Sequence, residues 1–197
     1  MTFTEYVEAE KIKARLSNIE EVRQDINESW VQDKINSHIL AFNGIFSIEE
    51  ITEAILSNDI VASKFCKDPG KQNISEKLAE KVLGISKLPA QGKNCIRFNE
   101  KGDIVSIASG NTKSADFLYN GYYATQKYTN EKGGAQDNQR NDVIHFLKFG
   151  SINYKVAAIV DGNYWDNGHR DELREMFRDN PNVLITSVTE IKGGNIE

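Results

Sequence analysis

The chain has 197 residues, enough for one domain or one domain with a helical appendage. Its 39% hydrophobic and 27% charged residues exclude a disordered chain, and no apolar run approaches the roughly 18 residues that span a bilayer. With 24 Lys and Arg against 29 Asp and Glu, the formal net charge of −5 weighs against a protein that coats nucleic acid by bulk charge.

Up to about Leu88 the pattern is helical. Thr4 is the expected N-cap of a first helix, whose stripe is Leu16, Ile19, Val22, Ile26 and Trp30. A second helix is expected over 31–42 with Ile35, Ile39 and Leu40 inward, stopped by Asn43-Gly44. Ser47 and Glu50 form a capping box for a third helix, and Asp68-Pro69-Gly70 is a turn. Asn73 and Glu76 frame the start of a helix through Leu78, Val82 and Leu83.

Beyond Gln91 the pattern alternates. Short strands are expected over 95–99 and 103–108 around a tight turn at Asn99–Gly102. Further strands over 115–119 and 122–128 flank Asn120-Gly121, the strongest short hairpin signal. A polar loop, Thr129 to Ala135, leads to a helix over 136–149 with Val143, Ile144, Phe146 and Leu147 inward. The apolar run 154–161 is a strand buried on both faces. A helix over 169–177, a strand over 182–186 and a capped turn at Ser187–Glu190 complete the chain. The expected class is α/β: a mixed sheet flanked by helices, with an N-terminal helical region at 1–72 and a core at 73–197. The sequence opening Met1-Thr-Phe-Thr lacks a signal-peptide pattern, and two cysteines, Cys66 and Cys95, give no disulfide framework, so a cytoplasmic location is expected.

The hairpin brings Asp116, at the base of one strand, toward Lys127, at the end of the next. A carboxylate that holds Mg²⁺ and an ammonium that orients water or stabilises developing charge suit phosphodiester hydrolysis. The bland alternative is an acid that starts a strand and a lysine that protects a sheet edge.

An Asp at a strand base, a hairpin and then x-x-Lys resembles the PD-(D/E)XK nuclease superfamily, which includes most type II restriction endonucleases. The order of elements over 74–160 matches that superfamily's helix, meander, helix and strand. Ser114-Ala-Asp116 stands where Pro-Asp is common, and Thr125-Gln-Lys127 where an acid-x-Lys is expected. The resemblance implies a restriction-endonuclease-like fold, with Asp116 binding the metal, Lys127 positioning water and a helix glutamate joining the site. Glu80 is preferred over Glu76 because it lies deeper in its helix; Asp103 and Glu131 are weaker candidates. Thr125 is expected to reach the metal or its water through its hydroxyl, and Gln126 to point to the opposite face. The cofactor is then Mg²⁺, with Mn²⁺ as a substitute.

The run from Lys127 to Gln139 and the segment 159–165 also resemble such enzymes. Gly133 and Gly134 allow close approach to a phosphate, beside Lys132 and a helix N-terminus that favours an anion. Gln136, Asn138, Gln139 and Asn141 carry the donors and acceptors that read base edges, and Arg140 suits a phosphate or guanine. A polar capped surface helix is the alternative. Asp161 reads as a local turn former, Tyr164 and Trp165 as core, DNA or interface residues, and His169 as a solvated cap. Between Asn111 and Gly150, five basic residues face four acidic ones, so this region is near neutral. The expected activity is sequence-specific cleavage of double-stranded DNA, with a homodimer following from a palindromic target. The alternatives are a structure-specific repair, junction or toxin nuclease, and a non-catalytic DNA-binding module.

Overall fold

The computed structural model describes residues 1–106, 110–130, 135–194 and 196. The chain is a mixed α/β protein: helices α1–α5 come first, and mixed sheets packed with helices follow. It divides into two compact units, Val7–Ile74 and Met1–Tyr6 with Ser75–Glu197.

The helical unit contains most of α1 (Phe3–Gln24), then α2 (Ser29–Ala41), α3 (Ile48–Ser57) and α4 (Asp59–Phe65). Its core gathers Ile19, Val22, Val31, Ile35, Ile55, Ala62 and Phe65. Leu16 and Leu40, expected inward, are 56% and 78% exposed. Helical geometry explains both: Leu40 stands about 140° around the helix from Ile35, and Leu16 about 120° from Val22. Helix α4 was not expected; Asn58 Oδ1 starts it by accepting from Ile60 N at 2.9 Å and Val61 N at 3.3 Å. The Ser47–Glu50 capping box forms as the sequence indicates.

At the N-terminus, the cap is Thr2 rather than Thr4. Thr2 Oγ1 accepts from Glu5 N at 3.2 Å, and Glu5 Oε2 accepts from Thr2 N at 2.7 Å. Thr4 has Val7 three residues on and cannot form that reciprocal pair.

In the larger unit, α5 (Ile74–Leu83) precedes two sheets. Strands β1 (Arg97–Phe98), β2 (Ile104–Val105) and β3 (Lys113–Ser114) form a small sheet in the order β2-β1-β3. Strands β4 (Phe117–Tyr119), β5 (Tyr122–Tyr128), β6 (Val156–Asp161) and β7 (Val183–Thr186) form the larger one, in that order. The expected continuous meander is therefore split between two sheets. The chain leaves the first sheet at Ala115–Asp116, where Asp116 C=O accepts from Leu88 N at 2.7 Å.

Asn120 and Gly121 turn the β4–β5 hairpin with φ of 47° and 81°, the positive pair that matches the twist of two antiparallel strands. Helix α6 (Ala135–Gly150) carries the chain back so that β6 runs parallel to β5. Helix α7 (Arg170–Met176), entered through a kinked segment at Trp165–His169, does the same between β6 and β7. Every residue of β6 is buried, as a parallel central strand requires. On the α6 side, Val156, Ala158 and Val160 pack with Phe98, Val143, Phe146, Leu147, Trp165 and Leu173. Helix α8 (Val188–Ile191) packs against β6 near its end, with Ser187 and Glu190 in a capping box. Among the described residues, no helix is long and apolar enough to cross a membrane.

Candidate active site

Asp116 and Thr125 meet across the β4–β5 hairpin. Thr125 Oγ1 donates to Asp116 Oδ2 at 2.9 Å, and Gln126 N donates to the same oxygen at 2.9 Å. The Asp116 side chain thus continues the β-ladder one step past β4 by taking the Gln126 N–H. Both bonds fall on Oδ2, which leaves Oδ1 as the oxygen a cation can take.

Lys127 is two residues beyond Thr125, so the two side chains share a face of β5. The parallel register pairs Thr125 with Ala158 and Lys127 with Val160, which places both on the α6 side of the sheet. Among the described residues, no carboxylate pairs with the Lys127 ammonium. Gln126 faces the other side and is 5% exposed, with its Nε2 buried and without a hydrogen-bond partner among the described residues.

Glu80 sits on α5, and its Oε1 accepts from Lys87 N at 3.1 Å. Lys87 bridges to Phe117, the residue after Asp116. Glu80 is thereby tied to the strand that carries Asp116 through one backbone segment. Glu76 instead pairs with Lys87 Nζ at 2.8 Å. Asp103 accepts from Asn99 at the β1–β2 turn, away from this hairpin. Among the described residues, no three of His, Cys, Asp or Glu are grouped to hold a metal ion.

The candidate DNA segment is partly described. Glu131, Lys132, Gly133 and Gly134 lie outside the described residues. On α6, Asn138 and Asn141 are exposed and three residues apart, so they share a face. Gln136 is partly covered. Gln139 turns inward: its Oε1 accepts from Thr129 Oγ1. Trp165, fully buried, donates from Nε1 to that same Thr129 oxygen at 3.3 Å. Trp165 is therefore a core residue. Gly162 takes φ +104, and a Cβ there would stand 2.4 Å from Thr129 O, so only glycine fits.

Asp161 ends β6 in the interior, where Val188 N donates to its two oxygens at 3.1 and 3.2 Å. Burial raises its carboxyl to about 7, against the lowering influence of the Val188 bond and the Arg170 charge. Its role is to anchor α8, which in turn holds Phe3 N through Thr189 Oγ1 at 3.0 Å.

A further cluster joins Arg140, His169 and Glu172. Glu172 Oε2 accepts from Arg140 Nη2 at 3.1 Å and from His169 Nδ1 at 3.1 Å. The His169 bond, followed by the charges of His169 and Arg140, holds the Glu172 carboxyl below its ordinary value. Tyr164 stacks on His169 with ring centroids 4.1 Å apart. The His-x-x-Glu spacing on a helix was the available signal.

No family model matches the chain, and neither curated proteins nor solved structures give a match.

Proposed function

We propose that the protein is a Mg²⁺-dependent, sequence-specific endonuclease acting on double-stranded DNA, in the manner of a type II restriction enzyme. One observation carries the reading: Asp116 stands opposite Thr125-x-Lys127 on one face of a hairpin that continues through α6 into a parallel strand.

The donor chemistry fits a hard cation. Mg²⁺ commonly takes one or two carboxylates and keeps several waters. Asp116 would supply the first, and Glu80, linked to the same strand through Lys87, would be the candidate for the second. A bound Mg²⁺ supplies charge neutralisation at the scissile phosphate and acidifies a water. Within the chain, Thr125 and Gln126 N orient the Asp116 carboxylate. Lys127, with no carboxylate partner among the described residues, orients the attacking water or offsets the charge that develops on the phosphate. Asn138 and Asn141 offer amides to base edges, and a homodimer would cut both strands of a palindrome.

Incubating the protein with a long plasmid and Mg²⁺, and then with Mn²⁺, tests this. Discrete fragments are expected, and Lys127→Ala should slow cleavage by about a hundredfold or more. A smear or junction-only cutting would point to a structure-specific nuclease instead. Full activity in Lys127→Ala would remove the assignment.

A second reading has its own observation. Thr125 supplies a hydroxyl where a second carboxylate would complete the site, and that hydroxyl donates to Asp116. This favours a DNA-binding module without catalysis. Absence of Asp116-dependent Mg²⁺ or Mn²⁺ binding by titration would select it.

A further inference from the structure

We propose that Arg140, His169 and Tyr164 form a binding site for a DNA backbone phosphate, and that Glu172 occupies this site in the free protein. The inference rests on the DNA-directed reading above and adds a contact and its regulation.

The geometry is that of an anion held by two donors from different elements. Arg140 comes from the first half of α6, His169 from the kinked segment before α7, and one carboxylate oxygen bridges them at 3.1 Å on each side. Glu172 engages Arg140 through a single nitrogen. The guanidinium Nε is buried and has no partner among the described residues. A guanidinium fork that uses one nitrogen on a carboxylate is under-used, because its Nε and Nη2 edge matches two oxygens side by side. A phosphodiester can set its two non-bridging oxygens on that edge, whereas Glu172 shares the one oxygen Oε2 between Arg140 and His169.

The site is also held in place. Tyr164 stacks on the His169 ring, and Tyr164 N donates to Thr129 O at 3.2 Å. Thr129 in turn binds Gln139, the residue beside Arg140. The site and the amide-bearing stretch of α6 therefore share one support. The displaced group costs little to move, since Glu172 is 54% exposed and exposed ion pairs contribute little to stability. Glu172 thus behaves as an internal competitor that a denser polyanion replaces.

Fluorescence anisotropy with a labelled duplex of about two helical turns, in EDTA and at low ionic strength, tests the proposal. Glu172→Gln should bind about twofold to fivefold more tightly than the unaltered protein. Glu175→Gln makes the same change of charge at an exposed carboxylate paired with Arg178, and its affinity should stay near that of the unaltered protein. Arg140→Gln should weaken binding and lower the salt slope by about one, and adding Glu172→Gln to it should give no gain. The proposal is overturned if Glu172→Gln binds no tighter, or if its gain recurs in Glu175→Gln or in the Arg140→Gln background. In that case duplex binding by the unaltered protein leaves the endonuclease reading standing. If neither the unaltered protein nor Glu172→Gln binds duplex, both readings fail.

Discussion

Replacing Asp116 separates its structural work from its proposed chemistry. Asp116 Oδ2 accepts from Thr125 Oγ1 and Gln126 N, each at 2.9 Å, and both donor residues are buried at 4% and 5% exposure. In Asp116→Ala the Thr125 hydroxyl can rotate to another acceptor, but the Gln126 N–H cannot. An orphaned buried donor costs about 1–3 kcal/mol. Asp116→Asn keeps an acceptor oxygen for Gln126 N and loses only the charge assistance, about 1 kcal/mol or less. With a urea slope of about 2 kcal/mol per molar, Asp116→Ala should lower the unfolding midpoint by about 0.5–1.5 M, and Asp116→Asn by about 0.5 M at most. The chain has two tryptophans, Trp30 and Trp165, one in each compact unit. Fluorescence in a Trp30→Phe background therefore reports the unit that holds Asp116. Both variants should lose cleavage. An Asp116→Ala midpoint equal to that of the unaltered protein would refute the ladder role. Cleavage at the full rate by Asp116→Asn would refute the metal-binding role, whatever the stability.

Asp161 supplies a pH signature. Its folded carboxyl is raised to about 7 from 3.8, so the folded state binds the proton more tightly than the unfolded one. The stabilisation is complete below pH 3.8 and is lost as pH rises through about 7. Asp161→Asn, which still accepts from Val188 N, should therefore remove a stability slope of about 1 kcal/mol per pH unit across that window, read from urea midpoints at stepped pH. A slope unchanged in Asp161→Asn would show that other groups set it. Gly162→Ala should lower the melting temperature by about 4–8 °C, the effect of roughly 2 kcal/mol in a chain of this size, because its Cβ would collide with Thr129 O at a left-handed φ. A melting temperature within a degree or so of the parent protein would mean that the β6 exit loop relaxes freely.

Local rules carried far along this chain. Asn120-Gly121 sets its hairpin, and the Ser47–Glu50 and Ser187–Glu190 boxes start their helices, because each depends on residues within four positions. The same rule favoured Thr2 over Thr4 as the first cap, since Glu5 lies three residues beyond Thr2. The split between the two sheets was not legible. Strands of two residues, such as β1, β2 and β3, carry too little pattern, and their partners are chosen by distant packing. At the candidate site, the hairpin alone sufficed to oppose Asp116 and Thr125. The inward turn of Gln139 depends on Thr129 and Trp165, which come from another loop and a later segment, so no local spacing revealed it. Exposure of Leu40 shows the same limit: an apolar residue in a helix faces inward only if a neighbour is there to meet it.

The Trp165–Thr129–Gln139 chain has a direction. An indole N–H can only donate, so the Thr129 oxygen receives from Trp165 and its single proton goes to Gln139 Oε1. The Gln139 carboxamide is thereby fixed in one of its two flip states, with the carbonyl inward and the NH₂ end turned away from Thr129. A side chain that ordinarily offers both hydrogen-bonding polarities is reduced to one. Thr129→Ser preserves that asymmetry, and Thr129→Val erases it by removing the only hydroxyl in the relay.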